Sequence, residues 1–336
     1  TGGQIMPPLM GSGAFVMVEL TGIPYTEIVL AALLPALLYF FTVWTGVNQY
    51  AERHDLKPYE AAMRPQNKQV IKTAVFFLVP FAALLIVMFS GYTPQFAAAV
   101  AIVFAFLLLF TGIDLRLNFG RARARIAMAA IFAGQQIAMI ASIILCASLI
   151  VGVLGMTGLG IKLTSVILSL SGDRLWLALG LAALACIILG MEVPTTAAYL
   201  ICVSVAGPAL IDFGIEPIIV HMFIFWYALL STITPPVCGG VFIVASMVGE
   251  NWLRVAGSAM LLGLGLYIIP LAFIQHPELL ALKTSPFISI AIGIQIAAGI
   301  ALLGRGLIGS QSLLVRLLLI AGGCLIIFAR LPLLHG

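Results

Sequence analysis

The sequence carries very little charge. Twelve acidic and sixteen basic residues make up 8% of its 336 positions, against about 25% in ordinary soluble domains. That leaves too few ionised groups for a water-facing surface of the usual kind. Long alternations of apolar and polar residues are also missing, which argues against a transmembrane β-barrel. Five cysteines occur (Cys146, Cys186, Cys202, Cys238 and Cys324), none in a C-x-x-C pair, so neither a zinc site nor a disulfide framework is indicated. The net charge of +4 is spread among loops rather than gathered on one face, which does not fit nucleic-acid binding. There is no H-E-x-x-H, G-x-S-x-G, P-loop or G-x-G-x-x-G in a strand–helix context, and so no positive sign of catalysis. A signal peptide is not recognisable and Thr1 opens inside a motif, so the chain is expected to be part of something longer.

What the sequence has in abundance is apolar length. It is 62% hydrophobic, with a mean hydropathy of +1.20. The runs Ile28–Phe41, Ala74–Phe89, Phe96–Phe110, Ile126–Leu154 and Val255–Ile274 approach or exceed the roughly 20 residues that cross a bilayer core. The expectation is an all-α polytopic membrane protein.

Lys and Arg set its topology. The stretch 49–72 holds Arg53, Lys57, Arg64, Lys68 and Lys72, and reads as a cytoplasmic loop. Two spans, about 73–90 and 95–112, joined by the turn SGYTP, lead to a second basic stretch with Arg116, Arg121, Arg123 and Arg125. An even number of crossings between two basic loops is self-consistent. This gives a first unit over 1–48 (a broken helix and the span after it), the loop 49–72, and two connecting spans and a basic loop over 73–125. The region 126–275 then carries a re-entrant hairpin (175–210) and a second broken helix (217–250), and C-terminal spans fill 276–336. The hairpin follows from length. A straight helix over 175–210 would reach roughly 54 Å, far beyond a core of about 30 Å. The segment 157–173 reads as a short helix along the interface, and Arg330 falls on the external side.

Two stretches interrupt otherwise apolar helices with paired prolines: TGGQIMPP at 1–8 and STITPPVCGG at 231–240. Topology makes the first exit outward and the second inward. A motif repeated in opposite orientation marks an inverted repeat. Aligning the prolines sets Gly11 on Gly239 and Phe15 on Ile243. Proline cannot donate a backbone hydrogen bond, so it frees carbonyls on the preceding turn. Non-helical backbone at membrane depth survives only in a protein-lined or wet cavity. Those carbonyls and the hydroxyls of Thr232 and Thr234 suit a small hard cation, and the following half-helix N-terminus suits an anionic group. Gly2, Gly3, Gln4, Pro7 and Pro8 offer the same parts in the first break, beside Thr1. The hairpin tip, GMEVPTT, supplies Gly190, Glu192, Pro194, Thr195 and Thr196. A structural proline kink explains one such motif as well as a site does; three breaks, two of them inverted, favour a site. Glu192 serves equally as a proton or cation site or as a residue reaching an aqueous vestibule. His221, opening HMFIFWY, reads as interfacial, its aromatic neighbours as core or belt residues, and GQQ at 134–136 as a helix-to-helix contact.

TGGQIMPPLMGSGAFVMVELTGIPYTEIVLAALLPALLYF and GMEVPTTAAYL…STITPPV resemble the large membrane subunit of tripartite ATP-independent periplasmic (TRAP) transporters. The likeness is to the TAXI branch, with its often fused membrane subunits, and here to the C-terminal portion. The resemblance implies an inverted-repeat elevator-type secondary transporter with a re-entrant hairpin and broken helices. It implies a coupling cation (sodium or proton) and no organic cofactor. Its partners would be a periplasmic substrate-binding protein, a small membrane subunit or fused equivalent, a small organic anion and the lipid bilayer. Its place would be the cytoplasmic membrane of a bacterium or archaeon. On the family pattern Gly190, Pro194, Thr195 and Thr196 form the second hairpin tip. Thr232, Thr234, Pro235 and Pro236 form the second broken helix, and Gly2, Gly3, Gln4, Pro7 and Pro8 the first. Sodium would be held through Thr195, Thr196, Thr232 and Thr234. Two departures stand out: the family's first hairpin would lie upstream of Thr1, and Glu192 stands where a small residue is expected. Two alternatives remain beside this reading. One is a symporter needing no binding protein. The other is an intramembrane enzyme using Glu192 and His221.

Overall fold

The computed structural model describes residues 2–7, 10–11, 13–56, 67–112, 120, 122–191, 193–236, 238–309 and 311–330. Thr1, Pro8 and Glu192 lie outside them, as do residues 57–66 and 113–119 of the two basic loops. The described secondary structure is helical apart from turns and one isolated bridge residue, as an apolar chain in lipid requires, because a helix satisfies its own backbone groups. Five helical stretches are long and apolar enough to cross a membrane: Tyr25–Arg53, Val70–Phe89, Thr195–Asp212, Trp252–Gln275 and Pro286–Ile308. The protein is therefore a multi-pass membrane protein.

The chain forms two compact units, Thr1–Leu56 with Ile144–Gly336, and Lys57–Ile143. In the second, α4 (Asn67–Phe89) pairs with α5 (Pro94–Leu108) through the turn predicted at SGYTP. Gly91 takes φ +89°, and Thr93 Oγ1 accepts from Phe96 N at 3.3 Å ahead of Pro94 in the first helical turn. A hydroxyl cap followed by proline suits a helix start, where the N–H groups have no helical partner. The guanidinium of Arg125, early in α6 (Ala122–Thr157), donates to the carbonyls of Leu109 and Thr111 beyond α5. Gly134 and Gln135, expected at a helix contact, are exposed.

The larger unit is built around α9 (Thr195–Asp212) and α10 (Pro217–Leu230). Every residue of α10 from Ile219 to Leu230 is buried. Trp226 stacks edge-on against Tyr39 of α3 (Tyr25–Arg53) and Phe273 of α13 (Gly265–Gln275), with ring centroids 6.4 and 6.2 Å apart. The short helix α2 (Gly13–Thr21) reaches α10 through Gly13. A Cβ there would come 2.6 Å from Phe225, so glycine sets the approach. Over 175–210 the chain forms two helices, α8 (Leu175–Leu189) and α9, packed on each other, and α7 (Leu159–Ser171) packs along both. Thr164 Oγ1 donates to Val205 O at 2.9 Å, so α7 has a face committed to the hairpin, which the interfacial reading did not include. The span expected over 255–274 is interrupted at Gly263–Leu264, giving α12 (Trp252–Leu262) and α13.

The C-terminal pair, α14 (Pro286–Ile308) and α15 (Leu313–Phe328), meets through glycine. A Cβ on Gly299 would lie 2.9 Å from Gly323 O, and one on Gly323 2.7 Å from Gly299 O. Small residues permit such close helix contact where no hydrophobic force drives association. Helix ends are secured by side chains: Arg316 donates to the carbonyls of Gly306 and Leu307, and Gln295 to those of Ile326 and Ala329. Arg330, placed externally by topology, donates to Gln275 O at 3.2 Å. Lys283 and Glu27, both expected outside, form an ion pair at 2.6 Å.

The two proline-bearing stretches share an outline. The first has α1 (Gly2–Ile5), a break, then α2, closed by Gly22 at φ +69° and followed by α3. The second has α10, a break, then α11 (Gly239–Val248), closed by Gly249 at φ +69° and followed by α12. In both, a left-handed glycine ends the second half-helix, the usual solution for its last carbonyls.

Candidate functional site

The proline breaks fall where the sequence put them. In the second, α10 stops at Leu230 and α11 starts at Gly239, leaving residues 231–236 and 238 outside regular helix. The Pro235–Pro236 bond is cis. No hydrogen bond among the described residues ends on the carbonyls of Thr232, Ile233 or Thr234. For Thr232 the cause is local, since the residue four positions on is Pro236, which has no N–H to offer. In the first break, Met6 N bonds to Gly2 O, while the residue four positions after Gly3 is Pro7, which has no N–H to donate.

The hairpin tip lies between Leu189 and Thr195. Gly190 is buried there because space demands it: an added Cβ would lie 2.9 Å from Cys186 O and 3.0 Å from Ser231 Oγ. The tip thus rests on the first residue of the second break. On its other side, Thr195 Oγ1 donates to Gln4 Oε1 at 3.0 Å, so the tip also reaches the first break. Thr196 is buried beside it. One hairpin therefore touches both broken helices, through a glycine in one direction and a hydroxyl in the other.

A cavity of about 720 Å³ opens beside this junction. Gly3 and Gln4 of the first break line it, as do Thr232 and Ile233 of the second and Gly240 at the start of α11. Its far wall is apolar, Val241 and Val244 of α11 with Val255, Ala259 and Leu262 of α12, relieved by Ser258. A Cβ on Gly240 would lie 3.2 Å from Thr232 O, so glycine there keeps that carbonyl uncrowded. Among the described lining residues the polar groups are hydroxyls, an amide and backbone, and none is ionisable.

The predicted site residues divide accordingly. Thr195 bonds to Gln4, and Gln4 lines the cavity with Gly3 and Thr232, whose own hydroxyl donates to Leu229 O at 2.9 Å; Gly2, Pro7, Gly190 and Pro194 lie in the same stretches. Thr234, Pro235 and Pro236 sit on the same turn but outside the cavity wall. Thr234 Oγ1 instead meets Tyr267 OH of α13 at 2.7 Å and donates to Leu230 O. Pro8 and Glu192 lie outside the described residues, so the pairing of Glu192 with His221 is not described. His221 itself is buried, with Nδ1 2.6 Å from Tyr199 OH. That corrects the interfacial reading: His221 is a hydrogen-bonded core residue between α9 and α10. Sequence reasoning missed Ser231, Ser258 and Tyr267. Ser231 opens the quoted motif and could have been found there; Ser258 and Tyr267 sit inside apolar runs that give no such sign.

Residues 1–288 match the model of a protein family described as "Tripartite ATP-independent periplasmic transporter, DctM component". No curated protein matches the chain at a significant level.

Proposed function

The chain belongs to the DctM component family of tripartite ATP-independent periplasmic transporters, and on that footing we propose that it is the permease of a cation-driven importer whose coupling site lies where its hairpin tip meets its two broken helices. The observation that carries the reading is a cavity lined by Gly3 and Gln4 of one break and Thr232 of the other, with Gln4 bonded to Thr195 of the hairpin tip. Hydroxyl, amide and carbonyl oxygens are ligands for a hard monovalent cation that binds without deprotonating a ligand. The oxygens of the described lining suit sodium, which we take as the coupling cation. A cation held there would lower the cost of bringing an anionic solute to the same place. The N-terminal end of α11 adds a favourable partial charge, and the Val/Ala/Leu wall would take an apolar body. The solute is a small organic anion, a carboxylate.

The remaining parts belong to the same proposal, and family membership supports them. A periplasmic binding protein delivers the solute, a small membrane subunit or a fused equivalent of the TAXI kind completes the permease, and the assembly sits in the cytoplasmic membrane of a bacterium or archaeon. The two proline-bearing stretches act as inverted repeats, and an elevator-type movement of the hairpin-bearing part exchanges the two sides. The test is uptake into vesicles containing the complete permease with its binding protein added outside. Uptake should require an inward sodium gradient and collapse in Thr195→Ala combined with Thr232→Ala. Undiminished uptake in the double variant would remove the site assignment.

A further inference from the structure

Thr234 lies on the same turn as Thr232 yet is directed away from the cavity, and its surroundings assign it a different task. Its hydroxyl has one proton to give and lies 2.7 Å from two oxygens, Leu230 O and Tyr267 OH. Leu230 O already accepts from Ile233 N and Thr234 N, both at 3.1 Å. A carbonyl has two lone pairs, so this one is saturated without the hydroxyl. With the Thr234 proton on Leu230 O, Tyr267 must be the donor to Thr234, since a contact of 2.7 Å needs a proton between the oxygens. Either way the Tyr267 hydroxyl is the partner that fixes the Thr234 side chain. Tyr267 is in turn held by Tyr227 OH, which donates to its carbonyl at 2.8 Å. A chain of contacts therefore runs from α10 to α13 and back to the break, tying the turn at both its helical and its proline-bearing ends.

We propose that Tyr267 is a positioning residue for the cation site: its hydroxyl clamps Thr234 and thereby holds the non-helical turn that carries Thr232 in the cavity wall. This rests on the cation reading of that site. The physical need is plain. The hydroxyls of Thr232 and Thr234 are tied back to Leu229 O and Leu230 O, but these bonds fasten the turn only to the end of its own helix. Among the described residues, the carbonyls beyond it have no such tether to a second element. A cation would then have to order them at its own expense. The phenol supplies that order in advance, from an element that is not part of the break.

The test is the thermal unfolding midpoint of the purified permease, titrated with sodium chloride against choline chloride at constant ionic strength. Its rise with sodium gives an apparent dissociation constant. Tyr267→Phe keeps the ring and removes the clamp, and should weaken sodium binding about three- to tenfold, the worth of one net hydrogen bond. Thr234→Val should do the same, and the two together should do no more than Thr234→Val alone, because they break one interaction. Tyr227→Phe, which releases only the Tyr267 carbonyl, should give a smaller loss, and serves in place of Tyr267→Phe should that variant not fold. A wild-type affinity in Tyr267→Phe, or losses that simply add in the double variant, overturns the proposal while the cation site stands. A wild-type protein whose midpoint ignores sodium overturns the cation reading and the proposal together.

Discussion

The two halves of the second broken helix are built for different surroundings. The first, α10, buries every side chain from Ile219 to Leu230, including Phe223, Phe225 and Trp226. The second, α11, buries only Val241 and Ala245 among its ten residues, and leaves Ile243 and Met247 63% and 79% exposed. Both are strongly apolar, so hydropathy does not separate them. What separates them is neighbours: α10 is enclosed by α2, α8, α9 and α13, whereas α11 packs mainly on α12. The lesson is that a proline break can join a rigid core element to one whose outer face is left to lipid or to another part of the assembly. The cavity lies on the α11 side of that junction, where the packing is lighter.

The largest expected effect tests the buried half. Phe225→Ala removes a ring that packs on Tyr199 and Gly13, and should cost about 3 kcal/mol of stability. The matching truncation Ile243→Ala in α11 should change stability by no more than about 0.5 kcal/mol. Thermal unfolding in detergent checks both, and equal losses would erase the contrast. Next comes the tip. Gly190→Val drives a branched side chain into Cys186 O and Ser231, so uptake should fall by about tenfold or more, since misplacement of about 1 Å at a site costs far more than its contact energy. Gly180→Ala, in open space on the preceding helix α8, should leave uptake unchanged. Gly299→Val should loosen the α14–α15 pair by about 1–3 kcal/mol through overpacking, while Gly322→Ala, with nothing near it, should not. The smallest effect belongs to Lys283→Ala. Its ion pair with Glu27 is solvent-exposed, so unfolding should shift by less than about 1 kcal/mol, and less still in high salt.

Much of this architecture was legible in the sequence because proline and glycine act locally. The breaks at Pro7 and at Pro235–Pro236, the hairpin tip ending at Thr195, and the SGYTP turn all fall where those residues forbid or permit particular backbone. The ion pair of Lys283 with Glu27 also fits a topology argued from basic loops alone. What was not legible depends on distant side chains meeting. Tyr267 reaches Thr234 across 33 positions, and Ser231 meets Gly190 across 41. Neither carries a periodic or local signature. His221 shows the same limit from the other side, since a polar residue at a helix start reads as surface until Tyr199 supplies its buried partner. Of the predicted threonines, Thr195 bonds to Gln4 and Thr232 lines a cavity with Gln4, whereas the orientation of Thr234 could be found only from the fold.

The central claim is that oxygen ligands from two broken helices and one hairpin tip form a single cation site. Equilibrium binding of radioactive sodium to the purified permease tests it most directly. Wild-type protein should bind sodium saturably, and Gln4→Ala, Thr195→Ala and Thr232→Ala should each lower that affinity, although they lie on three different elements. Sodium binding unchanged in all three variants would contradict it.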